Sequence, residues 1–249
     1  ATGWQIVFYR SISMTLLFVG VSLFRHGRRT VAVVRDLGWL APLGSLCLAG
    51  SFIGMILSLT MTTVANVLFI YAFAPLLAAI LARKILDEPV LPITWFALVM
   101  ALVGVGVMMA DGLQSGDLSG NIVALGMSAC VAGYAVTVRC AAGKDMLPTV
   151  GIGAFISIVV AGMVAPSLVV SRFDLTICLA LGVFQVGLGY LTFTLGTNHV
   201  RAAEANVLAL SETVCGPLWV YLALGERPTV LGTIGGSTVL AAVVLQAYG

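Results

Sequence analysis

The chain has 249 residues, of which 60% belong to the apolar and aromatic AVILMFWYC set and only 9% are charged, against roughly 25% in ordinary soluble domains. A mean hydropathy of +1.12 with a net charge of +2 excludes three classes. A soluble domain needs a charged surface, a disordered chain needs low hydrophobicity, and a nucleic-acid binder needs a basic face.

A helix crossing the hydrocarbon core takes about 20 mostly apolar residues. The first such stretch lies near 4–24 and ends on Arg25-His26-Gly27-Arg28-Arg29. The second (38–58) and third (63–83) follow, the third closing on Asp87-Glu88-Pro89. The fourth (92–110) runs into the turn from Gly112 to Gly120, and the fifth (120–138), sixth (147–170) and seventh (175–196) come next. The eighth (203–224) stops at Gly225-Glu226-Arg227-Pro228, and the ninth (229–247) ends the chain. Nothing alternates as membrane-barrel strands do, and backbone groups in lipid must be satisfied within each segment. The expected fold is therefore an all-α polytopic membrane protein with nine visible transmembrane helices. The chain starts at Ala1 and enters a span within a few residues. A cleaved signal peptide accounts for this, as does a missing tenth span, which the repeat below favours.

Arg25, Arg28, Arg29, Arg35, Arg83, Lys84, Arg139, Lys144 and Arg201 fall on one set of alternate loops, Arg172 and Arg227 on the other. By the positive-inside rule the richer set faces the cytoplasm, which puts the visible N-terminus outside and the C-terminus inside. The loops are too short for a soluble catalytic domain. Cysteines 47, 130, 140, 178 and 215 show no CxxC or Cys/His ligand spacing, so they read as small buried hydrophobes and no metal is expected. No HExxH, GxSxG, paired-aspartate or P-loop motif occurs, which argues against an enzyme, a bound cofactor or ATP drive. A channel would show rings of like charge or a filter loop.

Displaced by 138 residues, Ala65 to Glu88 faces Ala203 to Glu226, with identity at Ala65/Ala203, Leu86/Leu224 and Glu88/Glu226. Both copies share a small-residue entry, an apolar span and an acidic close. They lie an odd number of spans apart and so run in opposite directions. That is an inverted repeat, which in secondary transporters puts the substrate site near the midplane.

Thr62-Thr63-Val64-Ala65-Asn66, Ala74-Pro75-Leu76 and Leu86-Asp87-Glu88 resemble the entry, mid-helix proline and closing glutamate of the drug/metabolite transporter superfamily, in its EamA-type ten-helix branch. Arg201-Ala202-Ala203-Glu204-Ala205, Ser211-Glu212-Thr213 and Leu224-Gly225-Glu226-Arg227 resemble the second copy, and Phe8-Tyr9-Arg10 the arginine near the start of the family's second helix. The family often has Glu-Pro where this chain has Glu212-Thr213, with Pro217 four residues later. The resemblance implies a first repeat at 1–110, lacking its first helix, and an inverted second repeat at 117–249. It further implies a secondary transporter working by alternating access, here expected to export amino acids or related small metabolites across the bacterial inner membrane. Both halves lie in one chain, so a monomer suffices and an oligomer is compatible. The partners are a small-molecule substrate and the lipid bilayer, without nucleic acid. The alternative class is a non-transporting structural or receptor-like membrane protein.

Glu212 lies about 12–14 Å into its span at 1.5 Å per residue. A carboxylate there costs several kcal/mol unless neutral, paired or wetted. One reading makes it a proton-coupling acid or a partner for a substrate ammonium; the other makes it a structural carboxyl between helices. Arg10, some six residues from the outer end, is close enough to snorkel outward and reads first as a structural charge, with substrate binding as the lesser reading and no sequence support for a pair with Glu212. Tyr71, Tyr134, Gln185 and Tyr190 carry long polar tips that need a partner or water, so they are candidates for a cavity lining, with Ser211 beside Glu212. Ser51 and Ser128 fit backbone bonding better. Pro75 and Pro217 are candidate breaks where gates open, or kinks that neighbouring helices tolerate. His26 and His199 sit at loops and read as solvated.

Overall fold

A computed structural model describes residues 1–86, 92–115, 118–141, 143–191, 222 and 229–248. Every element named for these residues is helical. Helix α1 is Gly3–His26, followed by a 3-10 turn at Gly27–Arg29 and the short α2 at Thr30–Asp36. Then come α3 (Leu40–Met61), α4 (Val64–Tyr71), α5 (Ala74–Leu86), α6 (Pro92–Ser115), α7 (Leu118–Cys140) and α8 (Leu147–Val164). Helix α9 (Arg172–Ala180) continues into a π-helical stretch at Leu181–Gly187, and α10 is Val230–Tyr248. Among the described residues six helical segments are long and apolar enough to cross a membrane, and the apolar helices Trp95–Met108 and Val230–Leu245 are shorter. The expected span at 203–224 lies outside the described residues.

Local chemistry sets the ends. Helix α1 starts in a capping box: the Gln5 amide donates to Thr2 Oγ1 and the Thr2 amide to Gln5 Oε1 at 2.7 Å, satisfying two backbone donors together. At 24 residues α1 is about 36 Å long, enough to cross a core of about 30 Å. The sequence suggests a sixth span to residue 170, but α8 stops at Val164 and Ala165 is extended. Pro166 forces this, because the residue before a proline is driven out of the α region. The expected span at 63–83 is two helices, α4 and α5, separated at Ala72 and Phe73. Pro75 is the second residue of α5, where a missing N–H costs nothing.

The chain forms two compact units, one from Ala1–Ile56 with Gly133–His199 and the other from Leu57–Ala132 with Val200–Gly249. Each thus draws on segments from both halves of the sequence.

In the first unit α1 packs along α8 and α9. Its core is Met14, Phe18, Leu48, Phe52, Leu147, Val150 and Ala154. Gly153 lets α8 press on the Ser45 carbonyl and Leu48 of α3, where a Cβ would sit within 2.9 Å of both. At one end of this unit Asp145 Oδ2 lies 2.9 Å from His26 Nε2 and 3.2 Å from Arg25 Nη1. There too Lys144 Nζ donates to the Asp36 carbonyl at 2.8 Å. At the other end Gln5 Nε2 donates to the Ser167 and Val169 carbonyls, and the Tyr9 hydroxyl to Leu168 O. His26 is thus paired with a carboxylate, where its loop position suggested a solvated ring.

In the second unit α10 lies along α6, around Ala97, Leu98, Ala101, Val105, Val239, Ala242 and Val243. A Cβ on Gly104 would meet the Gly235 carbonyl at 2.6 Å, and one on Gly235 the Gly104 carbonyl at 2.5 Å. Two glycines thus bring the backbones together, as lipid-embedded helices require when packing rather than water exclusion holds them. Large apolar side chains such as Phe24, Met163 and Phe173 lie outside the cores, each at least 74% exposed. Such a surface suits lipid, and the chain is an integral membrane protein.

Candidate functional site

The first unit contains a charge that its helices do not fully neutralise. Arg10 belongs to the buried face of α1 with Val7, Ser11 and Met14, and is only 3% exposed. It therefore does not snorkel to the interface as its position in the span suggests. Its Nη2 donates to the Phe52 carbonyl of α3 at 2.9 Å. Its Nε is buried with no hydrogen-bond partner. A buried donor left unpaired costs roughly 1–3 kcal/mol, and more when charged, and the first unit carries that cost at Arg10.

The π-helical stretch of α9 flanks the arginine. A π-bulge widens a helix by one residue and occurs often at functional sites. Here it brings Gly182 against the Arg10 carbonyl and Ser13 Oγ, and Gly187 against Leu17, with no room for a Cβ at either glycine. Just beyond the bulge Tyr190 stands edge-on to Phe18 and Phe52, each ring centroid 6.3 Å away. Among the described residues Cys178 and Tyr190 are ionisable neighbours of the guanidinium. Tyr134 borders the same apolar cluster, beside Thr149. The result is a cationic N–H set among aromatic faces with hydroxyl tips. A guanidinium beside aromatic rings is complementary in kind to a carboxylate that carries an apolar side chain.

The other candidates are distributed differently. Gln185 lies on the π-helical stretch and is exposed. Tyr71, at the end of α4, and Pro75, exposed in α5, belong to the second unit. Glu212, Ser211 and Pro217 lie outside the described residues. Ser51 donates to the Leu48 carbonyl of its own helix, and Ser128 to both Ala124 O and Ile70 O.

Sequence reasoning passed over a buried polar knot in the second unit. Asn121 is fully buried and its Nδ2 donates to the Met108 carbonyl at 3.3 Å. Thr62 Oγ1 donates to Asn121 Oδ1 at 3.0 Å, and Asn66 Nδ2 to Thr62 Oγ1 at 3.4 Å. Gly120 allows this, because a Cβ there would strike the Met61 backbone at 2.7 Å. The available signal was an asparagine within each of two spans.

The EamA-like transporter family model matches residues 2–110 and again 118–248. The chain belongs to the EamA-like transporter family. A curated relative from Archaeoglobus fulgidus, described as an uncharacterized transporter, is 34% identical over 67 residues. That match covers 27% of this EamA-like chain, and the chain spans only 25% of that relative's length. A solved structure, described only as a protein crystal structure, is 17% identical with a TM-score of 0.65. It covers 99% of this chain and 88% of its own, and shows the fold alone.

Proposed function

We propose that the protein is a secondary transporter that moves amino acids or related small carboxylate metabolites across the bacterial inner membrane, as an exporter working by alternating access. Family membership supports carriage of a small solute. One observation narrows the class: the Arg10 guanidinium, buried in a membrane helix with its Nε unpaired. Ionisable groups within spans mark substrate pathways by default, and guanidinium matches carboxylate in shape and charge. Phe18, Phe52 and Tyr190 supply the apolar side of an amphipathic substrate site. Arg10 thus takes the carboxylate, with Tyr190 and Tyr134 beside it, and Glu212 serves as the coupling acid. The inverted repeats at 1–110 and 117–249 supply the two halves that exchange access, and the site is complete in one chain.

The test compares an amino acid with its carboxamide in proteoliposomes. Wild type should move the acid at least tenfold faster, and Arg10→Gln should lose that preference while keeping its helical content. Equal rates for acid and amide in wild type would remove Arg10 from substrate recognition. Absence of saturable flux for the whole amino-acid panel would favour a structural or receptor-like protein instead.

A further inference from the structure

We propose that the first unit carries a binding site for one anionic phospholipid, with an acyl chain in the groove between α1, α2 and α8 and the phosphate at Arg28 and Arg29. The groove has a volume of about 260 Å³. Phe18, Val19 and Leu23 of α1, Val34 of α2, and Ile152 and Phe155 of α8 form most of its wall. The lining is almost wholly apolar although Thr15 and Ser22 belong to it. Both hydroxyls are buried, so the surface that an occupant meets is apolar. The occupant is therefore a hydrocarbon, and a lipid-facing groove on an integral membrane protein takes it from the bilayer.

Charge selects the head group. The turn Gly27–Arg29 joins two helices that both line the groove, and Thr30 Oγ1 pins it by donating to the Ser22 and Gly27 carbonyls at 3.1 and 2.9 Å. Arg28 and Arg29 are exposed and make no ion pair among the described residues, whereas neighbouring Arg25 is held by Asp145. Two uncompensated arginines thus adjoin the Thr30 wall of a hydrocarbon slot. Basic residues at a membrane surface favour anionic over zwitterionic lipid.

Native mass spectrometry of the full chain in detergent, titrated with phosphatidylglycerol or phosphatidylcholine of identical chains, reads this directly. At low salt wild type should retain phosphatidylglycerol roughly tenfold or more over phosphatidylcholine, as two basic residues near a surface provide. The exposed pair Arg28→Gln and Arg29→Gln should lose that preference with an unchanged melting temperature. Ile152→Trp, which fills the slot, should lose retention of both lipids. Equal retention by wild type, or a preference unaltered by either variant, overturns the proposal. So does a dimer that Ile152→Trp dissociates without any lipid being released, because a second copy would then be the occupant.

Discussion

Arg10 and Asn121 both place strong hydrogen-bonding groups in the interior of a membrane protein, with opposite outcomes. Asn121 has both ends of its amide occupied, by Met108 O and Thr62 Oγ1. Its role is to tie the turn between α3 and α4 to α6 and α7. Interhelical hydrogen bonds in membranes average about 0.6 kcal/mol and reach about 1.7. Asn121→Ala should therefore lower stability by about 1 kcal/mol, read as a fall in melting temperature in detergent, with little change in substrate affinity. A large affinity loss with unchanged stability would move Asn121 into the substrate site. Arg10 keeps an unused N–H, so its replacement should show first in transport. For Glu212 the expectation rests on depth alone: Glu212→Gln should abolish the pH dependence of flux, and an unaltered pH profile would leave it a structural carboxyl.

At the scale of elements, glycine placement decides which helices approach. Gly104 meets Gly235 backbone to backbone, while a Cβ on Gly106, two residues away on α6, would meet nothing within 4 Å. Gly104→Leu should separate α6 from α10 and sharply reduce folded yield, whereas Gly106→Leu should be tolerated. Equal effects would mean that this contact does not hold the pair. The spans were legible because hydropathy is summed over some twenty residues, and single deviations average out. The α4/α5 interruption was legible through Pro75. The early end of α8 was written in Pro166 but masked by the apolar residues around it. The π-helical stretch had no such marker, since α and π forms differ only in which carbonyl each N–H selects. Gly182 and Gly187 read equally well as ordinary packing glycines. Arg10 was visible as a charge, but its depth was not. Counting residues from the helix end gives distance along the axis, whereas burial by α3 and α9 depends on which face they cover.

For the molecule as a whole, the charge distribution makes a claim about sidedness. Arg25, Lys144 and Asp145 converge at one end of the first unit, and Gln5 meets Ser167 and Val169 at the other. By the positive-inside rule the basic end is expected to face the cytoplasm. A cysteine introduced at Lys144 should react with an impermeant thiol reagent only after cells are permeabilised, and one at Ser167 should react in intact cells. The opposite pattern would reverse the assignment. The central claim is carriage itself, tested most directly by flux of labelled amino acids into proteoliposomes containing the full-length protein. A carrier gives saturable uptake that is accelerated by unlabelled substrate on the far side and shows preference for a free carboxylate. Uptake that rises linearly with concentration, or that matches protein-free liposomes across the panel, would contradict it.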